Sequence, residues 1–140
     1  MNPNTSINLV MDLDLSRFPP RILVFLGNGT KEHIGIWKDN TPWGYEAPCV
    51  FLRDRATDKE YVIRRRLHDW TVTPGGYYCI PPVNTITVEY DLSDGSWVVP
   101  ESVDLMTHKY QVRVELHYEE SELGSEFGVF AGKITGRWQE

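Results

Sequence analysis

Cysteine is scarce: Cys49 and Cys79 are the only two in 140 residues. Two are too few for a disulfide framework. Both flank apolar strand residues (Val50 and Phe51; Tyr78 and Ile80), so the expectation is two buried core thiols, with a single bridge as the alternative in an exported protein. Long apolar runs are also missing, and none approaches the roughly 20 residues of a membrane-spanning helix. The first residues lack the basic and apolar regions of a secretory signal, and Asp12 and Asp14 interrupt the hydrophobics that follow. The expectation is a cytoplasmic protein outside the membrane, with a secreted mature form as the alternative; only in the latter would the sequons at Asn4 and Asn28 matter. Helical periodicity is nearly absent, with only Ser93–Trp97 and Pro100–Leu105 reading as single helical turns. Basic residues are the minority, 14 against 20 acidic ones, for a net charge of -6. That balance opposes binding to a phosphate backbone and argues against nucleic acid as a partner.

What the chain has is alternation. Ile7, Leu9, Met11, Leu13 and Leu15 occupy every second position, with Asn8, Asp12 and Asp14 between them. Strand side chains alternate between two faces, so this spacing lays one apolar face on a core and one polar face in water. The rhythm returns at Ile86, Val88 and Tyr90, and at Val112, Val114, Leu116 and Tyr118. Shorter strand signals lie at Arg21–Leu26, His33–Trp37, Cys49–Arg53, Glu60–Arg64 and His68–Thr73, and Gly128–Trp138 reads as a closing strand. Turn chemistry separates them. Asn28–Gly29 tolerates positive φ and predicts a tight turn, and Asp54–Lys59 connects a hairpin. Nine prolines and eleven glycines spread between the strands suit a sandwich. The length fits one domain able to bury a core without metal or disulfide help. The acidic stretch Glu119–Glu126 reads as a flexible, solvated loop.

Candidate chemistry is thin. The histidines His33, His68, His108 and His117 match no zinc spacing, and the cysteines form no C-x-x-C pair. His68–Asp69 and His108 with Asp104 are the nearest approach to a ligand set. His117 shares its strand face with Arg113 and Glu115, opposite Val112, Val114 and Leu116, and so reads as a surface residue. No G-x-S-x-G elbow is present. Asp91 and Asp94 read as turn residues rather than an acid–base pair. Gly27–Asn28–Gly29 lacks the third glycine and the following helix of a phosphate cradle. No metal or cofactor is expected. Arg64, Arg65 and Arg66 form the one basic cluster. They read either as an anion or partner patch or as a charged strand edge that discourages aggregation, and the acidic balance favours the edge.

Aromatic density is the strongest hint of binding. Trp37, Trp43 and Tyr45 gather around a Pro-Trp-Gly-Tyr loop, with Asp39 and Asn40 beside them. Such rings give large rigid contact area, anchor interfaces and stack on sugar rings. The competing reading folds Trp43 back over an open end of the sandwich. Trp70 and Trp97 read as core.

From Pro82 the chain reads P-V-N-T-I-T-V-E-Y-D-L-S, and from Lys109 it reads K-Y-Q-V-R-V. These stretches resemble the immunoglobulin-like segment that precedes the catalytic domain in deuterolysin and peptidyl-Lys metalloendopeptidases of fungi and bacteria. There a Pro-Gly enters an alternating strand that ends in Asp-Leu-Ser; here Val83 stands in place of the glycine. Those peptidases need H-E-x-x-H and a later Asp to hold zinc, and this chain has no H-E-x-x-H. The resemblance therefore implies the fold of a fungal-type sandwich and not the protease activity.

Together these readings predict one all-β domain over residues 1–140, an immunoglobulin-like antiparallel sandwich of about seven to nine strands. The expected function is a non-enzymatic binding module in which Trp37, Asp39, Asn40, Trp43 and Tyr45 meet a protein partner or a second copy of the chain. The alternatives are a carbohydrate-binding sandwich, with Trp43 or Tyr45 stacking and Asp39 or Asn40 holding hydroxyls, and a small metal-dependent hydrolase.

Overall fold

The computed structural model describes residues 9–68, 76–127 and 129–140, without the side chains of Leu123, Ser125 and Phe127. Ile7, the Asn4 sequon, Asp69, Trp70, Pro74, Gly75 and Gly128 lie outside the described residues, as does most of the expected strand His68–Thr73.

The described strands are β1 (Leu9–Asp14), β2 (Arg21–Asn28), β3 (Ile34–Trp37), β4 (Pro48–Asp54), β5 (Glu60–Arg65), β6 (Tyr77–Ile80), β7 (Thr85–Asp91), β8 (Trp97–Val98), β9 (Tyr110–Tyr118) and β10 (Gly132–Thr135). Two short helices, α1 (Pro42–Tyr45) and α2 (Glu122–Phe127), complete the elements. One sheet has the order β1-β2-β7 and a second β10-β9-β4-β5-β8, while β3 and β6 form a separate pair. Every ladder between these strands is antiparallel, and an isolated parallel bridge joins Gly35 of β3 to Val129. The protein is an all-β, antiparallel structure, and no described helix is long and apolar enough to cross a membrane.

Alternation explains the layering. Ile22, Val24 and Leu26 of β2 are fully buried, while Leu23 and Phe25 between them are only half-buried. In β9 the buried set is Tyr110, Val112, Val114, Leu116 and Tyr118. These residues join Leu9, Tyr90, Val50, Leu52 and Ile63 in one hydrophobic cluster, so the two larger sheets share a core. Each such side chain is held by roughly 1.5–3 kcal/mol of apolar burial. At one edge β10 carries a bulge: Thr135 faces Glu115 but Gln139 faces Val112, one residue more on the β10 side. The Gly136 N–H donates to the Val114 carbonyl there, at 3.0 Å.

Several local expectations are corrected. Asn28–Gly29 makes no positive-φ turn; those conformations fall at Asp58 and Val83, and at Gly76, Gly95 and Gly132. Strand β2 runs on through Asn28, whose buried amide donates to the carbonyls of Ile80 (2.8 Å) and Glu32 (2.6 Å). Its side-chain oxygen accepts from the Thr30 N–H at 2.9 Å. Long-range bonding of this one amide overrides the local turn preference. Cys49 is buried as expected, but Cys79 is exposed on β6, and both thiols are free. Turns occupy Ser93–Ser96 and 101–108, where single helical turns were expected, and part of the acidic stretch is helical rather than loop.

A candidate binding cleft beside Trp43

The Pro-Trp-Gly-Tyr segment forms α1. Thr41 caps it: the Gly44 N–H donates to Thr41 Oγ1 at 3.1 Å, and Oγ1–H donates to the Lys38 carbonyl at 2.8 Å. Gly44 lies so close to the preceding turn that a Cβ would sit 2.0 Å from the Lys38 carbonyl oxygen, which only glycine permits. This tight turn folds the aromatic loop back on the protein. Trp37 is 3 % exposed and stacks on Trp43, with centroids 4.4 Å apart and planes 26° apart. Tyr77 meets Trp37 edge-on at 6.3 Å. The Tyr45 hydroxyl donates to the Arg66 carbonyl at 3.1 Å.

The three consecutive arginines do not share a face. Ile63 and Arg65 of β5 point inward, and Arg64 points outward. The Arg65 side chain is 5 % exposed, and its guanidinium lies over Trp97 (4.2 Å), Tyr45 (4.5 Å) and Tyr90 (5.5 Å). Asp39 takes the guanidinium with both carboxylate oxygens at 3.2 Å, and the Tyr45 carbonyl accepts a further bond at 3.1 Å. Arg66 donates from Nε to the Gly95 carbonyl at 3.1 Å. Of the residues read as a loop site, Trp37, Asp39 and Tyr45 are thus engaged within the chain, Asn40 is exposed, and Trp43 alone reaches a cleft.

That cleft, about 320 Å³, opens on the outer face of the five-stranded sheet. Strand register builds its floor: Arg64 of β5 lies opposite Cys49 of β4, which lies opposite Glu115 of β9. His117 of β9 pairs with Lys133 of β10, and the His117 N–H donates to the Ala47 carbonyl at 3.0 Å. Trp43 and Glu46 supply one wall and Glu119 another. Among the described residues Trp43 is the one Trp, Tyr or Phe lining it. A more open depression of about 490 Å³ shares His117 and Glu119 and adds Tyr118, Glu120, Ala131 and Gly132.

Charge in the cleft is unevenly answered. Glu115 pairs with Arg113 at 2.9 Å and with Lys133 at 3.8 Å. The side chains of Arg64, Glu46, His117 and Glu119 make no hydrogen bond or ion pair among the described residues. Burial pushes the Cys49 thiol above its ordinary pKa against the pull of Arg64, so it stays protonated and is a poor nucleophile. No three His, Cys, Asp or Glu side chains among the described residues are placed to hold a metal. His68 packs on the Tyr45 ring at 5.6 Å, whereas the Asp104 N–H donates to the Tyr110 hydroxyl.

Glu46, Glu115, His117, Glu119 and Lys133 did not stand out as a site in the sequence. The alternation of β9 does place Arg113, Glu115 and His117 on one outer face. What joins them to Arg64, Lys133 and Trp43 is strand pairing across long stretches of chain. Comparison with protein-family models, with curated proteins and with solved structures finds no match in any of the three.

Proposed function

We propose that the protein is a non-enzymatic binding module built on an immunoglobulin-like sandwich, and that its ligand, a carbohydrate, enters the cleft beside Trp43. The strand order supports the fold assignment: β1-β2-β7 against β8-β5-β4-β9-β10 follows, with β8 as an added edge, the A-B-E and C′-C-F-G order of such sandwiches. Tyr110 opens β9, the F position, and its hydroxyl meets the backbone N–H of Asp104 upstream at 3.1 Å, in the manner of a tyrosine corner. The resemblance to the segment beside the deuterolysin-type catalytic domain bears on this fold alone, since function resides in sites rather than folds.

One observation carries the functional reading: a concavity walled by one indole gathers Arg64, Glu46 and Glu119, charged groups of both signs without partners among the described residues. Sugar hydroxyls both donate and accept, while guanidinium and ammonium only donate and carboxylates only accept, so a mixed lining suits a polyhydroxylated ring. Docking of a protein partner or of a second copy through the aromatic loop has less behind it, because Trp37, Asp39 and Tyr45 already have partners within the chain.

A printed glycan array probed with labelled protein tests the reading. Binding is expected on a subset of glycans and is lost in Arg64→Ala and Glu119→Gln, while Asn40→Ala binds as the parent does. All three positions are exposed, so a thermal melt confirms folding. Silence across the array, or binding indifferent to Arg64 and Glu119, would remove the carbohydrate reading.

A further inference from the structure

We infer that the cleft selects an oligosaccharide bearing ammonium groups, that is, a chain of amino sugars; this rests on the reading of the cleft as a carbohydrate site. The inference comes from the charge left over after internal pairing. Glu115 is answered twice, by Arg113 and Lys133. Those two cations and Arg64 together balance the three carboxylates Glu46, Glu115 and Glu119, so the carboxylate in excess is Glu120 of the adjoining depression, whose described lining holds no Lys or Arg. The chain as a whole carries -6, which adds an attractive field for a cation.

The shape extends the point. The second depression shares His117 and Glu119 with the cleft and brings in Glu120, so the two concavities together carry Glu46, Glu119 and Glu120, none of which has a partner among the described residues. A repeating ligand can meet several carboxylates with repeating positive groups. Trp43, braced by the stacked indole of Trp37, offers a rigid apolar wall to one sugar ring. A lysine-rich peptide would satisfy the carboxylates as well, but its side chains bring only donors and would set cations against Arg64 and Lys133. Hydroxyl oxygens of a sugar accept from those two groups while the ammonium takes the glutamates.

Calorimetric titration of the intact protein with four probes tests this: a glucosamine tetramer, its fully N-acetylated counterpart, a uronic-acid tetramer and tetralysine. A mildly acid buffer keeps the amines protonated and the carboxylates ionised. The glucosamine tetramer is expected to bind at least about tenfold tighter than the acetylated one, the scale of one partly screened charge pair. The preference should shrink as salt is raised. Glu46→Gln and Glu119→Gln should weaken the glucosamine tetramer more than the acetylated one and so shrink the preference, and Arg64→Ala should weaken both sugars about equally. Equal or tighter binding of the acetylated or uronic tetramer would overturn the charge selection and leave the carbohydrate cleft standing. Tetralysine matching the glucosamine tetramer would make a basic peptide the ligand. If no tetramer binds, this inference falls, and with array silence the carbohydrate reading falls too.

Discussion

Arg65 illustrates how far a single residue can depart from its pattern. The alternation of β5 puts it on the core side after Ile63, where an apolar side chain belongs, and three aromatic rings and Asp39 accommodate its charge. Its Nε has no acceptor among the described residues, so the guanidinium is not fully satisfied even now. The pair is asymmetric, since the Asp39 side chain is 45 % exposed against 5 % for Arg65. Removing the aspartate strands a buried cation, whereas removing the arginine leaves a carboxylate that water can reach. Asp39→Ala should therefore cost about 2–3 kcal/mol in urea unfolding and Arg65→Met about 1 kcal/mol or less; equal costs would contradict the asymmetry. Val83 shows a local conflict of another kind. It is 89 % exposed, and it holds φ at 63°, which β-branched residues adopt only under strain. Relief of the left-handed strain outweighs the greater freedom of glycine in the unfolded chain, so Val83→Gly should stabilise by about 0.5–1 kcal/mol. A lower urea midpoint in that variant would mean the valine side chain has a packing role.

Among the elements, the hairpin β4–β5 was legible because its two strands alternate on either side of an Asp-rich connection. Asp54 fixes that connection. Its Oδ1 accepts from the N–H groups of Ala56 (2.8 Å) and Thr57 (3.3 Å), and Lys109 lies 3.7 Å from Oδ2. The Ala56 bond, with the Thr57 bond and Lys109 behind it, holds the carboxyl below its ordinary value of 3.8. A depressed folded pKa contributes stability above the unfolded value and loses it as pH falls through the folded one. Asp54→Asn lacks that contribution, so the gap in stability between parent and variant should close as pH is lowered from about 5 to about 2. Denaturant titrations across that range read it directly, and a gap that widened in acid would reverse the sign. Strands β7 and β9 were legible for the same reason as the hairpin, their clean alternation. The pairing of β3 with β6 was not. Their paired residues lie 40 to 46 positions apart in the chain, and the Asn28 amide that links the ends of β2 and β6 reads locally as a turn former.

At the scale of the whole molecule, alternation in the sequence announces two faces per strand but not which strands become neighbours. Hence the all-β class could be read from the chain and the cleft could not: its floor needs β5, β4, β9 and β10 side by side, and its wall needs α1 folded back over Gly44. The aromatic loop was recognisable by composition, but the stacking of Trp37 on Trp43 depends on that same fold-back. The shared core makes a global prediction. Leu26 belongs to the three-stranded sheet and Leu116 to the five-stranded one, both are fully buried, and both lie in a single cluster with Trp97. Truncating either to alanine should cost about 2–5 kcal/mol. Because neither sheet can keep its inner face covered without the other, each change should shift one and the same cooperative transition. Tryptophan fluorescence, summed over five tryptophans that include the buried Trp37 and Trp97, reports side-chain packing, and far-ultraviolet circular dichroism reports the strands; the two traces should coincide in the parent and in both variants. If Leu26→Ala moved one transition and Leu116→Ala another, the sheets would be unfolding as separate units and the common core would not be what binds them.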